Sequence, residues 1–186
     1  MHKQGCPQKQ SSMTDRYSNN EYESSILDLF DLVSARFQKM PAMAAAKWPD
    51  RAGIDVPARE AEILQDLHQQ CAELNADPET IQPFMAGLME ASKYIQQYCF
   101  DFWHQSETAP KNDQPMPSIR SELNKINREI IELLSTPPFQ LPDPELTQIL
   151  FLKLSEDLHL SLEGTELIDE TITSLIMNGA LKAFLR

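Results

Sequence analysis

Glycine is scarce in this sequence, and the alternation of apolar and polar residues that marks a half-buried strand is absent. The 186 residues include only 5 glycines. Apolar side chains recur instead at intervals of three and four residues, which places them on one face of a helix. These patterns predict an all-α fold. The length suits one domain with one continuous core, so we expect a single-domain six-helix bundle.

The sequence also lacks long apolar runs. No stretch reaches about 18 uninterrupted apolar residues, so no transmembrane helix and no membrane partner are predicted. Residues 1–20 are polar and contain no apolar segment of the kind found in a secretory signal. We interpret them as a disordered amino-terminal arm without a signal peptide, followed by one helical domain over residues 21–186.

Basic residues are outnumbered by acidic ones. Lysine and arginine total 16 against 28 aspartates and glutamates, which gives a net charge of -12. A chain of this charge repels phosphate backbones and anionic surfaces, so nucleic acid is not a predicted partner. Each basic residue therefore needs its own structural or functional explanation.

Cysteine is also rare. The three cysteines, Cys6, Cys71 and Cys99, cannot all pair within one chain, and no two of them have metal-ligand spacing. Cys71 and Cys99 fall on apolar helix stripes, which favours packing as free thiols over a disulfide. No metal site is predicted.

Six helices are predicted from the apolar spacing and from the prolines that bound it. The first covers residues 21–40, and Pro41 then kinks or ends it before a short helical stretch resumes through Lys47. Ser118 is the predicted cap of the fourth helix, after a loop over residues 106–117. The remaining helices are predicted over residues 57–74, 78–105, 118–134, 145–159 and 166–185.

Two polar residues fall where apolar ones are expected. Ser92 and Gln96 lie one turn apart within the apolar sector of the third long helix, so both should point into the core. A buried amide without partners costs a few kcal/mol. Gln96 therefore needs either a partner on another helix or a ligand, and the sequence leaves both open.

Several charged residues border the same apolar faces. Arg36 lies at the edge of the first stripe, and Lys47 follows eleven residues later. Arg59 and Arg120 each occupy a first helical turn, where the helix dipole disfavours a cation, and Glu60 falls within an apolar sector. Any one of the cations could be a surface residue or half of an ion pair. Together they would repel one another unless a multiply charged anion lay between them, so the pattern suggests a di-acid ligand.

These residues lie in segments that resemble the all-helical chorismate mutases, in particular the secreted subclass that folds as one chain of six helices. The resemblance covers roughly residues 26–128. The matching segments are LVSARF with Arg36, AAAKW with Lys47, PAREAEIL with Arg59 and Glu60, EASKYIQ with Ser92 and Gln96, and SIRSELNKIN with Arg120.

The resemblance implies an isomerase that converts chorismate to prephenate by a pericyclic rearrangement, without metal or cofactor. By that resemblance, Arg36 and Arg120 would bind the two substrate carboxylates. Arg59 would support the site, and Ser92 would line it.

The resemblance also assigns the remaining polar atoms of the substrate. Lys47 and Gln96 would hydrogen-bond the ether oxygen, and Glu60 would take the ring hydroxyl. Members of the family often carry an acid three residues before the arginine of this helix. Here Val56 occupies that position and Asp55 lies one residue earlier, so hydroxyl binding is expected to rest on Glu60 alone. Gln96 stands where much of the secreted subclass has glutamate.

The resemblance further implies a periplasmic or secreted setting and a homodimer, although a cytoplasmic setting is also compatible with the residues. An isochorismate pyruvate-lyase on the same fold would use a similar cationic pocket. A helical interaction or effector protein, in which the polar residues only pair with one another, is the non-enzymatic alternative.

Overall fold

The computed structural model describes residues 13–50, 53–107, 110, 111 and 113–136. These residues form five helices and no strand, which confirms the all-α prediction. The helices are α1 (Met13–Gln38), α2 (Met40–Lys47), α3 (Pro57–Leu74), α4 (Pro78–Gln105) and α5 (Met116–Ser135). The predicted helices over residues 145–159 and 166–185 lie outside the described residues.

The first helix begins earlier than the sequence pattern predicts. It starts at Met13 rather than near residue 21, so the last residues assigned to the disordered arm are helical. Adding a turn to an existing helix fixes far fewer dihedrals per hydrogen bond than starting a new one. A polar segment can therefore extend a helix that is anchored further on by Ile26 and Leu29, both of which are buried.

Pro41 separates α1 from α2, as predicted. Proline has no N–H to donate to the carbonyl four residues earlier, so the α1 hydrogen-bond ladder stops and α2 restarts with proline in its first turn. The backbone N–H of Met43 then donates to the Lys39 carbonyl at 2.9 Å. This break redirects the chain so that Lys47, at the end of α2, is buried.

The fifth helix has a different start from the predicted one. Its N-cap is Pro115, with no side-chain cap, and Ser118 lies within the first turn with its backbone N–H on the Pro115 carbonyl at 3.0 Å. The prediction that Ser118 caps this helix is wrong. The fixed dihedral of proline favours a helix start, so Pro117 moves the beginning of the helix two residues earlier.

The helices α4 and α5 organise the core. Each of them packs against all four other described helices, whereas α1 and α3 contact α4 and α5 but not each other. Leu29 and Val33 of α1, Leu88 and Ile95 of α4, and Ile130 of α5 are almost fully buried in one cluster. Both α4 and α5 therefore bridge α1 and α3, which do not touch each other.

Cys71 and Cys99 are free thiols and both are buried, as predicted. Burial raises the pKa of Cys99 to about 12, and burial together with the charge of Asp77 raises the pKa of Cys71. Both side chains therefore act as small apolar residues. None of the described helices is long and apolar enough to cross a membrane.

Candidate active site

A cavity opens between the helices where α5 spans α1 and α3. Its empty space, which includes solvent at the open mouth, is about 680 Å³. All five described helices contribute lining side chains. The seven residues singled out in the sequence all line it, namely Arg36, Lys47, Arg59, Glu60, Ser92, Gln96 and Arg120.

Arg36 lies deepest among the lining cations. It leaves the last turn of α1 and is 4% exposed. Its Nη1 donates to Oδ1 of Asn127 on α5 at 2.6 Å, and its Nε has no acceptor among the described residues. Burial lowers the pKa of the guanidinium to about 10, which still leaves it charged at neutral pH.

Lys47 and Gln96 meet across the α2–α4 interface. The Lys47 Nζ donates to Gln96 Oε1 at 2.9 Å and to the Ile54 carbonyl at 3.3 Å. Burial lowers the pKa of Lys47, and the charge of Arg120 lowers it further, while Glu60 acts in the opposite direction. A cation is thus fixed on the cavity wall in a place that water solvates poorly.

The amide nitrogen of Gln96 is held in place as well as its oxygen. Its Nε2 donates to the Ser92 carbonyl at 3.1 Å and contacts the Met40 sulfur at 3.5 Å. Of the two alternatives that the sequence leaves open, the structure shows the partner on another helix, which is Lys47. The Ser92 hydroxyl donates to the Leu88 carbonyl at 2.6 Å, so it can offer only its lone pairs to the cavity.

Arg59 has partners of its own at the side of the cavity. Its Nη1 pairs with Glu62 at 2.8 Å and its Nη2 donates to Asn124 Oδ1 on α5 at 2.6 Å. The carboxylate pair considered from sequence is therefore present, while the side chain still lines the cavity. Arg120 is exposed and also lines the cavity.

Lys93 connects the acidic residues on the opposite side. Its Nζ lies 3.2 Å from Glu60, 3.2 Å from Asp55 and in contact with Glu90. Burial works to lower the pKa of Lys93, but the three carboxylates outweigh it and raise that pKa. Hydrogen bonding to Lys93 likewise lowers the pKa of Asp55. Val56, one residue on, offers the cavity only an apolar surface.

Among the described lining residues, three polar ones were not predicted from the sequence: Lys93, Asn124 and Asn127. Asn124 and Asn127 follow Arg120 by four and seven residues, which is the spacing of one helix face, so their common location was readable in principle. Lys93 directly follows Ser92. Asparagine and lysine on an amphipathic helix nevertheless usually indicate a solvated face.

The charge of the cavity is opposite to that of the chain. Of the described residues that line it, five are basic and only Glu60 is acidic. Among the described residues, no carboxylate lies within 4.0 Å of Arg36, Lys47 or Arg120. Buried cations without a carboxylate partner are rare, because desolvation disfavours them. In the part of the chain that the structure describes, Arg36 and Lys47 are therefore two buried cations without a carboxylate partner, and they line the same cavity.

Comparison with known families identifies the same segment. Residues 27–97 match the family model of chorismate mutase type II. The resemblance to the all-helical chorismate mutases is confirmed. The matched segment contains six of the seven lining residues named from sequence, and only Arg120 lies beyond it.

Two curated relatives carry the chorismate mutase name. The monofunctional chorismate mutase of Enterobacter agglomerans is 24% identical over 111 residues, covering 60% of this chain. The secreted chorismate mutase of Mycolicibacterium smegmatis is 22% identical over 110 residues, covering 59% of this chain. The aligned part spans 61% of the length of each relative.

A solved structure shares the fold. The crystal structure of a chorismate mutase from Burkholderia thailandensis matches with a TM-score of 0.60 and 23% identity, covering 87% of this chain and 99% of that one. The helical arrangement around the cavity therefore belongs to a chorismate mutase fold.

Proposed function

We propose that this chain is a chorismate mutase, an intramolecular isomerase that converts chorismate to prephenate in the cavity. The observation that carries the proposal is that three cations, Arg36, Lys47 and Arg120, line one cavity and have no carboxylate partner among the described residues. A bound dianion would relieve their mutual repulsion. The match of residues 27–97 to the chorismate mutase type II family supports the same substrate.

The rearrangement needs stabilised charge and a fixed substrate conformation. One carbon–oxygen bond breaks while a carbon–carbon bond forms within the same molecule, so no nucleophile, proton transfer or cofactor is required. Negative charge grows on the ether oxygen as its bond breaks. Lys47 donates to that oxygen, and Gln96 donates from Nε2, whose weak contact with the Met40 sulfur the substrate replaces while the bond to the Ser92 carbonyl remains. Because both side chains are already held in place, their dipoles need little reorganisation in the transition state.

The arginines would hold the two carboxylates. Guanidinium groups bind carboxylates through paired, directional hydrogen bonds. Arg36 from α1 and Arg120 from α5 are assigned one carboxylate each, with Arg59 in support and Ser92 lining the site. Holding both ends of the flexible substrate in its reactive conformation removes part of the entropic barrier before the chemical step.

Glu60 is the assigned acceptor for the ring hydroxyl. One of its oxygens lies 3.2 Å from Lys93 Nζ, which fixes the carboxylate at the cavity wall and leaves its other lone pairs for the substrate. Asp55 is 73% exposed on its side chain and is engaged by the same lysine, so Glu60 remains the hydroxyl ligand in this assignment.

One incubation decides between this reaction and the lyase reaction. Purified protein is mixed separately with chorismate and with isochorismate. Formation of prephenate from chorismate is the expected result. Release of salicylate and pyruvate from isochorismate, without prephenate, would instead identify an isochorismate pyruvate-lyase.

A bicyclic dicarboxylate that mimics the folded substrate should stabilise the protein against heat. Selective binding to the folded state at 100 times the dissociation constant contributes about 2.7 kcal/mol. A monocarboxylate with the same ring system is the matched control and should shift the melting temperature less. Equal shifts, or none, in a thermal denaturation series would favour the non-enzymatic interaction or effector protein.

The lowered pKa of Lys47 predicts where activity falls at alkaline pH. As the pH rises, a lysine with a lowered pKa loses its proton before the pH reaches 10.5, the ordinary pKa of lysine. The value of kcat/KM should therefore begin to decline at a pH below 10.5. A bound dianion raises the pKa again, because it favours the charged form. The decline in kcat should therefore lie at higher pH than the decline in kcat/KM, and coinciding profiles would contradict the assignment.

We propose a periplasmic or secreted setting, supported by the description of the M. smegmatis relative as secreted. We also propose that the protein is a homodimer, by analogy with the family. Light scattering on the purified chain tests the dimer, and fractionation of the source cells tests the setting against a cytoplasmic one.

A further inference from the structure

We propose that Asn127 is a positioning residue that holds Arg36 through an uncharged oxygen, so that the guanidinium keeps its whole positive charge for a substrate carboxylate. The inference rests on the proposed function, because it concerns how that cavity binds a dianion. Asn127 lies on α5, outside residues 27–97 that match the family model.

The contact is buried and joins two distant parts of the chain. Arg36 is 4% exposed and Asn127 is 6% exposed, and both line the cavity. The 2.6 Å hydrogen bond from Arg36 Nη1 to Asn127 Oδ1 fixes the position of the guanidinium. The Nε of Arg36 has no acceptor among the described residues. Among the described residues, the arginine is therefore oriented by a neutral oxygen and keeps N–H groups that no acceptor occupies.

The choice of an amide is unusual for a buried cation. Buried charges are normally paired with an opposite charge. Two cations outside the cavity, although less buried than Arg36, do have carboxylate partners: Lys39 pairs with Glu122 at 2.5 Å and Arg128 with Glu132 at 3.1 Å. The partner of Arg36 is instead the neutral side chain of Asn127, although acidic residues are abundant elsewhere in the chain.

An amide and a carboxylate at position 127 would differ in how much of the Arg36 charge they neutralise. A carboxylate at position 127 would make a stronger, charge-assisted bond to Arg36 and would stabilise the unliganded protein more. It would also cancel the charge that attracts a substrate carboxylate and repel that carboxylate directly. An amide oxygen supplies the orientation alone. Asn124 makes the same kind of bond to Arg59 at 2.6 Å, but Arg59 already has Glu62.

The substitution Asn127→Asp separates a positioning role from a structural one, because the two side chains have nearly the same shape. We expect KM for chorismate and Kd for the bicyclic dicarboxylate to rise about tenfold or more, with a smaller change in kcat. Thermal stability without ligand should be unchanged or higher. Lowering the pH should restore binding as the introduced carboxyl is protonated.

The control Asn75→Asp adds the same charge at the C-cap of α3, outside the cavity, where the left-handed backbone accepts either residue. It should keep the KM and Kd of the parent. If Asn127→Asp does not fold by circular dichroism, Asn127→Ala removes the oxygen without adding charge. That variant should lower kcat/KM about tenfold or more with no new pH dependence.

The outcomes separate the two proposals. Parent-like KM and Kd in Asn127→Asp, or parent-like kcat/KM in Asn127→Ala, would overturn the role of Asn127 while leaving the mutase activity in place. A parent protein that binds the dicarboxylate without converting chorismate would overturn the proposed function, and the Kd comparison would still test Asn127. A parent that neither binds nor reacts would overturn both.

Discussion

Replacing Lys47 by alanine is expected to lower kcat by about 100- to 1000-fold, the usual effect of losing one preorganised donor to a developing oxyanion. The helical fold should persist, because the substitution removes a poorly solvated cation whose charge Arg120 already disfavours. Steady-state rates with chorismate, measured beside far-ultraviolet circular dichroism, provide the test.

The matched control is Lys125→Ala. Lys125 is a lysine on α5 whose side chain is 80% exposed and which does not line the cavity. Its removal should leave kcat and KM unchanged. If the Lys47 variant retained near-normal rates in a folded protein, the electrostatic mechanism proposed for the cavity would be untenable.

Replacing Gln96 by glutamate is expected to shift the pH optimum toward acid and to lower the rate at neutral pH by about tenfold or more. The new carboxyl would lie beside Lys47, which is 2.9 Å from the present amide oxygen, and the neighbouring cation would keep it ionised. An ionised carboxylate cannot donate to the ether oxygen, whereas the protonated acid can. The rate should therefore rise as the pH falls through the pKa of that carboxyl.

The parent protein should show a nearly flat rate across neutral pH, since an amide does not titrate. Gln97→Glu is the control, because Gln97 is the next residue of α4, is exposed and bonds only to Asp101 among the described side chains. It should retain the flat profile. A Gln96→Glu profile identical to that of the parent would remove Gln96 from the proposed mechanism.

Much of the helical architecture was predictable because burial imposes a periodic pattern on the sequence. The apolar spacing located α3 and α4 at their observed limits, and Pro41 marked the break before α2. The ends of helices were less predictable. A start depends on which of several local signals prevails, so the prolines near Met116 outweighed Ser118, and an anchored α1 extended back to Met13.

The charged part of the cavity was predictable to a similar degree. Arg36, Lys47 and Gln96 stand out because charged or amide side chains on an apolar stripe need an explanation. Asn124 and Asn127 do not stand out, since a polar residue on an amphipathic helix is ordinary. Their importance depends on α5 packing between α1 and α3, which is a property of the tertiary structure and leaves no local mark in the sequence.

The bridging position of α5 also bears on selectivity. Helix α5 carries Arg120 as well as Asn127 and Asn124, the two amides that orient Arg36 and Arg59. The backbone of this one helix therefore sets the separation of all three guanidinium groups. Neighbouring helices cannot slide to suit a ligand without breaking those bonds. Diacids that are shorter or longer than the reactive conformer of the substrate should therefore compete poorly, even when their total charge is the same.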